Sequence, residues 1–121
     1  MSPVSDIVAA SFTAQVSSAV ADSTGLCVFG RSVTDTNLEL IANAINDAHN
    51  TQIDPEFILK MGRETLHLEH GFNVAAGFTE EDDELPAFFH DEPLAPTQKT
   101  ARLHSSEVNM HLREIQESAP K

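Results

Sequence analysis

The stretch Asp22-Ser23-Thr24-Gly25-Leu26-Cys27-Val28-Phe29 decides how the rest of the chain is read: an apolar helical pattern stops in it, and the single cysteine stands two residues after a glycine. Upstream, from Val4 to Ala21, there is neither Gly nor Pro, and Val4, Ile7, Val8, Phe12, Val16, Ala19 and Val20 recur on one helical face. Pro3 suits the first turn, Asp6 favours the positive end of the helix dipole, and Gly25 ends the helix because a left-handed turn costs glycine nothing sterically. Cys27 is thereby expected on a turn. Taken alone, a lone cysteine is most often a small buried hydrophobe, and one thiolate cannot complete a zinc or iron–sulfur site, which takes about four ligands.

Beyond the turn the helical period returns. Thr34, Asp35 and Thr36 are candidate caps for a second helix in which Leu38, Ile41, Ile45 and Ala48 form the buried stripe, widened by Leu40 and Ala44, with Asn50 as terminator. A third helix has the clearest start signal: Asp54 as N-cap, Pro55 at the first helical position and Glu56 in the first turn. It is expected to bury Phe57, Met61, Thr65, Leu68 and Phe72 and to end near His70, broken by Gly71. From Val74 to Leu103 the period is lost among Pro86, Pro93 and Pro96 and the acidic run Glu80–Glu84, with Thr79 and Asp82 able to cap one short turn. Phe78, Leu85, Phe88, Phe89 and Leu94 predict that this segment is packed by its own side chains. A last helix over Ser105–Glu117 turns Val108, Leu112 and Ile115 inward, with Ser105 or Ser106 as cap. The expected fold is therefore an all-α single domain over residues 1–121, with about four helices and a long Pro-rich, acidic loop before the last.

Composition narrows the function. A formal net charge of -12 argues against nucleic acid or an anionic membrane as partner, since neutralising phosphates needs clustered Lys and Arg. One cysteine gives no disulfide framework, the N-terminus lacks the marks of a signal peptide, and uninterrupted apolar runs fall far below the ~20 residues of a membrane span. A soluble, cytoplasmic chain is expected. The remaining constellations are weak. Glu64 and His67 have the Glu-x-x-His spacing of di-iron bundles, but a di-iron site needs a second copy and two more glutamates, and these two lie on the polar face. Glu107 and His111 are a bare carboxylate–imidazole pair, and His67-Leu68-Glu69-His70 is not a zinc motif. Glu80–Glu84 lacks the alternation and glycine of a calcium loop and is read as solvated. No nucleophile elbow or phosphate cradle is present, so no catalytic residue is assigned.

Asp22-x-x-Gly25-Leu26-Cys27 resembles the Asp-x-x-Gly-Leu-Cys motif in the C-terminal domain of the tungsten-pterin aldehyde ferredoxin oxidoreductases. A second match runs through Leu68-Glu69, Phe72-Asn73, Gly77-Phe78, Asp82-Asp83, Leu85-Pro86 and Glu92-Pro93-Leu94, in the family's order and spacing. The resemblance implies an enzyme that oxidises an aldehyde to a carboxylic acid at a tungsten or molybdenum bis-pterin and passes electrons through a 4Fe–4S cluster to ferredoxin. Carried over residue by residue, Cys27 is the cluster's fourth thiolate, and Asp22 with the Gly25-Leu26 backbone contacts the pterin. The family's other cluster cysteines and acid–base residues belong to upstream domains. The chain is thus expected to be a fragment or subunit that needs those domains or a partner subunit, inactive and without cofactor by itself, with a homodimer through the uncovered turn as a further expectation. The alternative is a non-catalytic helical interaction module that keeps the fold without cofactors.

Overall fold

Helix α1 (Val4–Thr24) begins where the carbonyl of Pro3 accepts the N–H of Ile7, and it ends as the sequence predicts. Gly25 has φ +71, its N–H bonds the Asp22 carbonyl, and the Leu26 N–H bonds the Ala21 carbonyl at 2.8 Å. That pair of bonds is a Schellman closure, which satisfies carbonyls the helix would otherwise leave open. The computed structural model describes residues 2–30, 32 and 36–118. Within these the chain is all-α. After α1 come a 3₁₀ turn at Val28–Gly30, α2 (Leu38–His49), α3 (Pro55–Ala75), a 3₁₀ turn at Glu80–Asp83, the short α4 (Phe88–Asp91) and α5 (Ser105–Ser118).

Two compact units are built from these elements. Thr13–Asn73 forms one; the chain before and after it forms the other. The first has an apolar core of Val20, Ile41, Ala42 and Ile58, against which Leu26, Leu38, Ile45 and Ile53 pack. The cap of α2 is Asn37, whose side chain accepts the Leu40 N–H at 3.2 Å; Thr34 and Asp35, expected as caps, lie outside the described residues, and Thr36 is a turn residue. Asn50 ends α2 with φ 53 as expected. Asn46 then clamps the connection to α3: its amide donates to the Ile53 carbonyl, and its oxygen accepts from the Ile53 N–H and the Thr51 hydroxyl, each at 2.8 Å. Asp54 caps α3 through the Phe57 N–H at 2.8 Å.

Three expectations are corrected here. α3 continues through Gly71 to Ala75, since one glycine costs an exposed helix only about 1 kcal/mol, and Gly77 at φ +97 follows the true end. Its buried residues are Ile58 and Gly62. Phe57, Leu68 and Phe72 are exposed, the last two by more than 70 %. The cause is steric: a Cβ at position 62 would stand 2.8 Å from the Val16 carbonyl oxygen, so glycine turns this face of α3 onto α1 and leaves the stripe of Phe57, Leu68 and Phe72 outside. Lastly, α1 is long and apolar enough by length and composition to cross a membrane. Uninterrupted apolar runs hid this because Ser, Thr and Gln break them without adding charge; Val8, Val16, Ala19 and Val20 on the predicted face are buried within the protein.

In the other unit, the segment before α5 is held differently from the expectation. Phe78, Leu85, Phe88, Phe89 and Leu94 are all exposed, although the Phe88 and Phe89 rings meet at 4.3 Å. Polar contacts carry the order instead. Asp82 accepts the Thr79 N–H at 2.7 Å and the Thr79 hydroxyl at 3.0 Å, as predicted. The Leu94 N–H bonds the Lys99 carbonyl, and the Ala101 N–H bonds that of Phe89. On α5, Val108, Leu112 and Ile115 are half-buried and Asn109 is buried, donating to Asp83 at 3.3 Å and to the Ser105 carbonyl at 3.0 Å. Neither serine supplies the cap through its side chain; Ser105 is the first helical residue and gives its N–H to Glu84.

Candidate functional site

The Schellman closure of α1 fixes what the motif turn presents. Because the N–H groups of Gly25 and Leu26 are bonded back to the helix, the backbone there has carbonyl oxygens to offer a ligand, not donors. The Leu26 side chain packs toward the apolar core, while Asp22 and Gly25 are exposed. Cys27 is an exposed free thiol, not the buried hydrophobe that a lone cysteine usually is. Its carbonyl accepts the Gly30 N–H at 2.9 Å, closing the turn that follows. Val28 and Phe29 project outward from this turn, Phe29 with 93 % of its surface exposed.

Beside the turn lies an open groove of about 560 Å³, lined by Thr24 and Leu26 from the end of α1 and by Leu40, Ala44, Ile45 and His49 from α2. Ala48, expected in the buried stripe, and Leu40 and Ala44, expected to widen it, are exposed and line this groove instead. Ala42 completes the core in their place. The turn that carries the thiol thus supplies one wall of the groove, and α2 supplies the other.

A second polar centre was not foreseen. Glu84, the last residue of the acidic run, places Oε1 at 3.0 Å from His90 Nε2 and 3.2 Å from His104 Nδ1, and its Oε2 accepts the Ser105 N–H at 2.7 Å. His90 Nδ1 faces the Ala101 carbonyl oxygen at 3.2 Å, and the two imidazoles stack at 4.4 Å. The Ser105 backbone N–H, then its hydroxyl, hold the Glu84 carboxyl down to about 2, with His104 and His90 adding to the effect. Thr79, through its N–H and hydroxyl, likewise lowers Asp82. Glu80 pairs with Arg113. The acidic run is exposed, as expected of a solvated segment, while Glu80, Asp82, Asp83 and Glu84 also hold specific polar partners. Sequence reading missed the partners of Glu84 because residues as far apart as Glu84 and Ser105 meet only in the fold. Elsewhere Glu64 and His67 are exposed as expected, and His111 pairs with Glu114 at 3.0 Å.

An all-α fold carrying an Asp-x-x-Gly-Leu-Cys turn is what the resemblance implied, and comparison with known families agrees. The family model described as aldehyde ferredoxin oxidoreductase, domains 2 & 3, matches residues 2–117, and the chain belongs to that family. No curated protein and no solved structure matches it.

Proposed function

We propose that this chain is the C-terminal part of an aldehyde ferredoxin oxidoreductase-like enzyme, with Cys27 supplying one thiolate to a 4Fe–4S cluster and Asp22, Gly25 and Leu26 contacting a pterin. The observation that supports this reading is the exposed Cys27 on the turn closing α1, in a chain matched to the family over residues 2–117. The donor set fits in part. One accessible thiol suits one corner of a cluster, and the other three ligands must come from further domains of the enzyme or a partner subunit. Asp22 and the carbonyl oxygens at Gly25 and Leu26 are acceptors, suited to the amino and ring N–H groups of a pterin.

When bound, the tungsten or molybdenum bis-pterin supplies the oxidation of aldehyde to carboxylate, and the cluster supplies the route for electrons to ferredoxin. This chain's own part is to orient: the rigid helix end holds Asp22 and Cys27 on one turn, so pterin and cluster are kept close together. By itself the chain is inactive. The cytoplasm is its expected compartment, since a reducing environment keeps the thiol available.

Anaerobic iron–sulfide reconstitution tests the proposal. On the isolated chain it yields no stoichiometric cluster, and with the complementary upstream domains it yields one that Cys27→Ser abolishes. A complete cluster on the isolated chain, or an unaffected one in the Cys27→Ser assembly, overturns the assignment. Retention of the fold with no cofactor in any assembly favours a non-catalytic interaction module.

A further inference from the structure

Glu84, His90 and His104 bring one carboxylate oxygen and two imidazole nitrogens together, all three within 4.8 Å of one another. The separations of 3.0 and 3.2 Å from Glu84 Oε1 are close to the roughly 3.3 Å edge of a tetrahedron around an ion with bonds of about 2.0–2.1 Å. We infer that these residues form a site for a first-row transition-metal dication, with zinc the ion whose ligand preferences they match. Two imidazoles and one carboxylate leave a position open for water, as in three-ligand zinc centres.

The surrounding contacts are those a metal site needs. His90 Nδ1 lies 3.2 Å from a carbonyl oxygen, which only accepts, so Nδ1 carries a proton and Nε2 is the nitrogen turned toward the site. The free oxygen of Glu84 is fixed by the Ser105 N–H. Such outer contacts orient both ligands, and the carbonyl facing His90 Nδ1 also raises that imidazole's basicity. Glu80, Glu81, Asp82 and Asp83 precede the site in the chain and raise the local concentration of cations. A metal ligand nitrogen must be unprotonated, so any proton on the ring nitrogens facing Glu84 passes to solvent when the ion binds.

One rearrangement is required. The rings lie 12° from parallel, and an ion cannot sit in both planes of a stacked pair. His104, with 58 % of its side chain exposed, has room to turn, whereas His90, at 16 %, is held. His104 is therefore the closing ligand, and His90 with Glu84 forms the fixed pair.

Titration of the 121-residue chain with Co²⁺, followed by its visible d–d absorption, tests the site. The expected result is one tightly bound Co²⁺ per chain, displaced by Zn²⁺, with affinity lowered more than about tenfold in His104→Ala and Glu84→Gln. His111→Ala, which removes the imidazole paired with Glu114 on α5, leaves the affinity unchanged. Because Glu84 also holds the start of α5, circular dichroism monitors helix content, and the exposed His104→Ala variant decides the matter if Glu84→Gln unfolds. Absence of protein-dependent d–d bands beyond those of aqueous Co²⁺, or unchanged affinity in His104→Ala, overturns the inference. So does equal weakening in His111→Ala. Cys27→Ser retains this site, which separates it from the proposed cluster ligand.

Discussion

Gly62 of α3 lies directly against the backbone of Val16 in α1: a Cβ built on the glycine would stand 2.8 Å from the Val16 carbonyl oxygen and 2.8 Å from Cγ2 of Val20. The Val16 oxygen is a backbone atom and cannot yield without moving a helix. Gly62→Ala is expected to destabilise the chain by about 1–3 kcal/mol through overpacking, outweighing the gain of up to about 1 kcal/mol that alanine brings to a helix. Gly71, in the same helix, meets nothing within 4 Å. Gly71→Ala should therefore stabilise, by about 0.5–1 kcal/mol. Urea unfolding of the two variants gives opposite shifts of midpoint; shifts of the same sign would contradict the close contact.

Asn46 makes three hydrogen bonds to the short connection between α2 and α3, two of them to the backbone of Ile53. Alanine leaves the Ile53 N–H and carbonyl without those partners, at a cost of about 1–3 kcal/mol. Thermal unfolding of Asn46→Ala, compared with the exposed Thr51→Ala, measures it. Equal stability of the two variants would show that water replaces the clamp without loss.

Glu84 is more acidic in the folded chain, at about 2, than its ordinary value of 4.5. Protons therefore bind the unfolded state more readily, and the stabilisation from this carboxylate is full above about 4.5 and is lost as pH falls toward about 2. In metal-free protein the melting temperature should fall with acidification across that window, with a shallower fall in Glu84→Gln. Parallel pH profiles for the two would assign acid unfolding to other carboxylates.

Phe29 is almost fully exposed, and Val28 beside it more than half, next to the groove formed by α1 and α2. Exposed apolar surface of this kind drives self-association when its usual cover is missing. Sedimentation of the isolated chain should show a concentration-dependent dimer, weakened by Phe29→Asp. A strictly monomeric chain at high concentration, or a dimer indifferent to the substitution, would remove Phe29 from the interface.

What local sequence determined was the elements whose causes are local. The apolar face of α1, its glycine closure, the Asp54-Pro55 start of α3, the Thr79–Asp82 cap and the left-handed Asn50 follow from side chains acting on backbone a few residues away. Family membership was legible in the Asp22–Cys27 turn for the same reason, since the motif is contiguous. The face that α3 buries was decided by tertiary structure. The stripe of Phe57, Leu68 and Phe72 had the hydrophobic period, but the absence of a Cβ at Gly62 allowed a closer approach to α1 than bulky side chains permit. The fold likewise made the acidic run structural: Glu84 meets His90, His104 and Ser105 only after the chain returns, and a carboxylate that satisfies a distant helix N-terminus leaves no periodic trace in sequence.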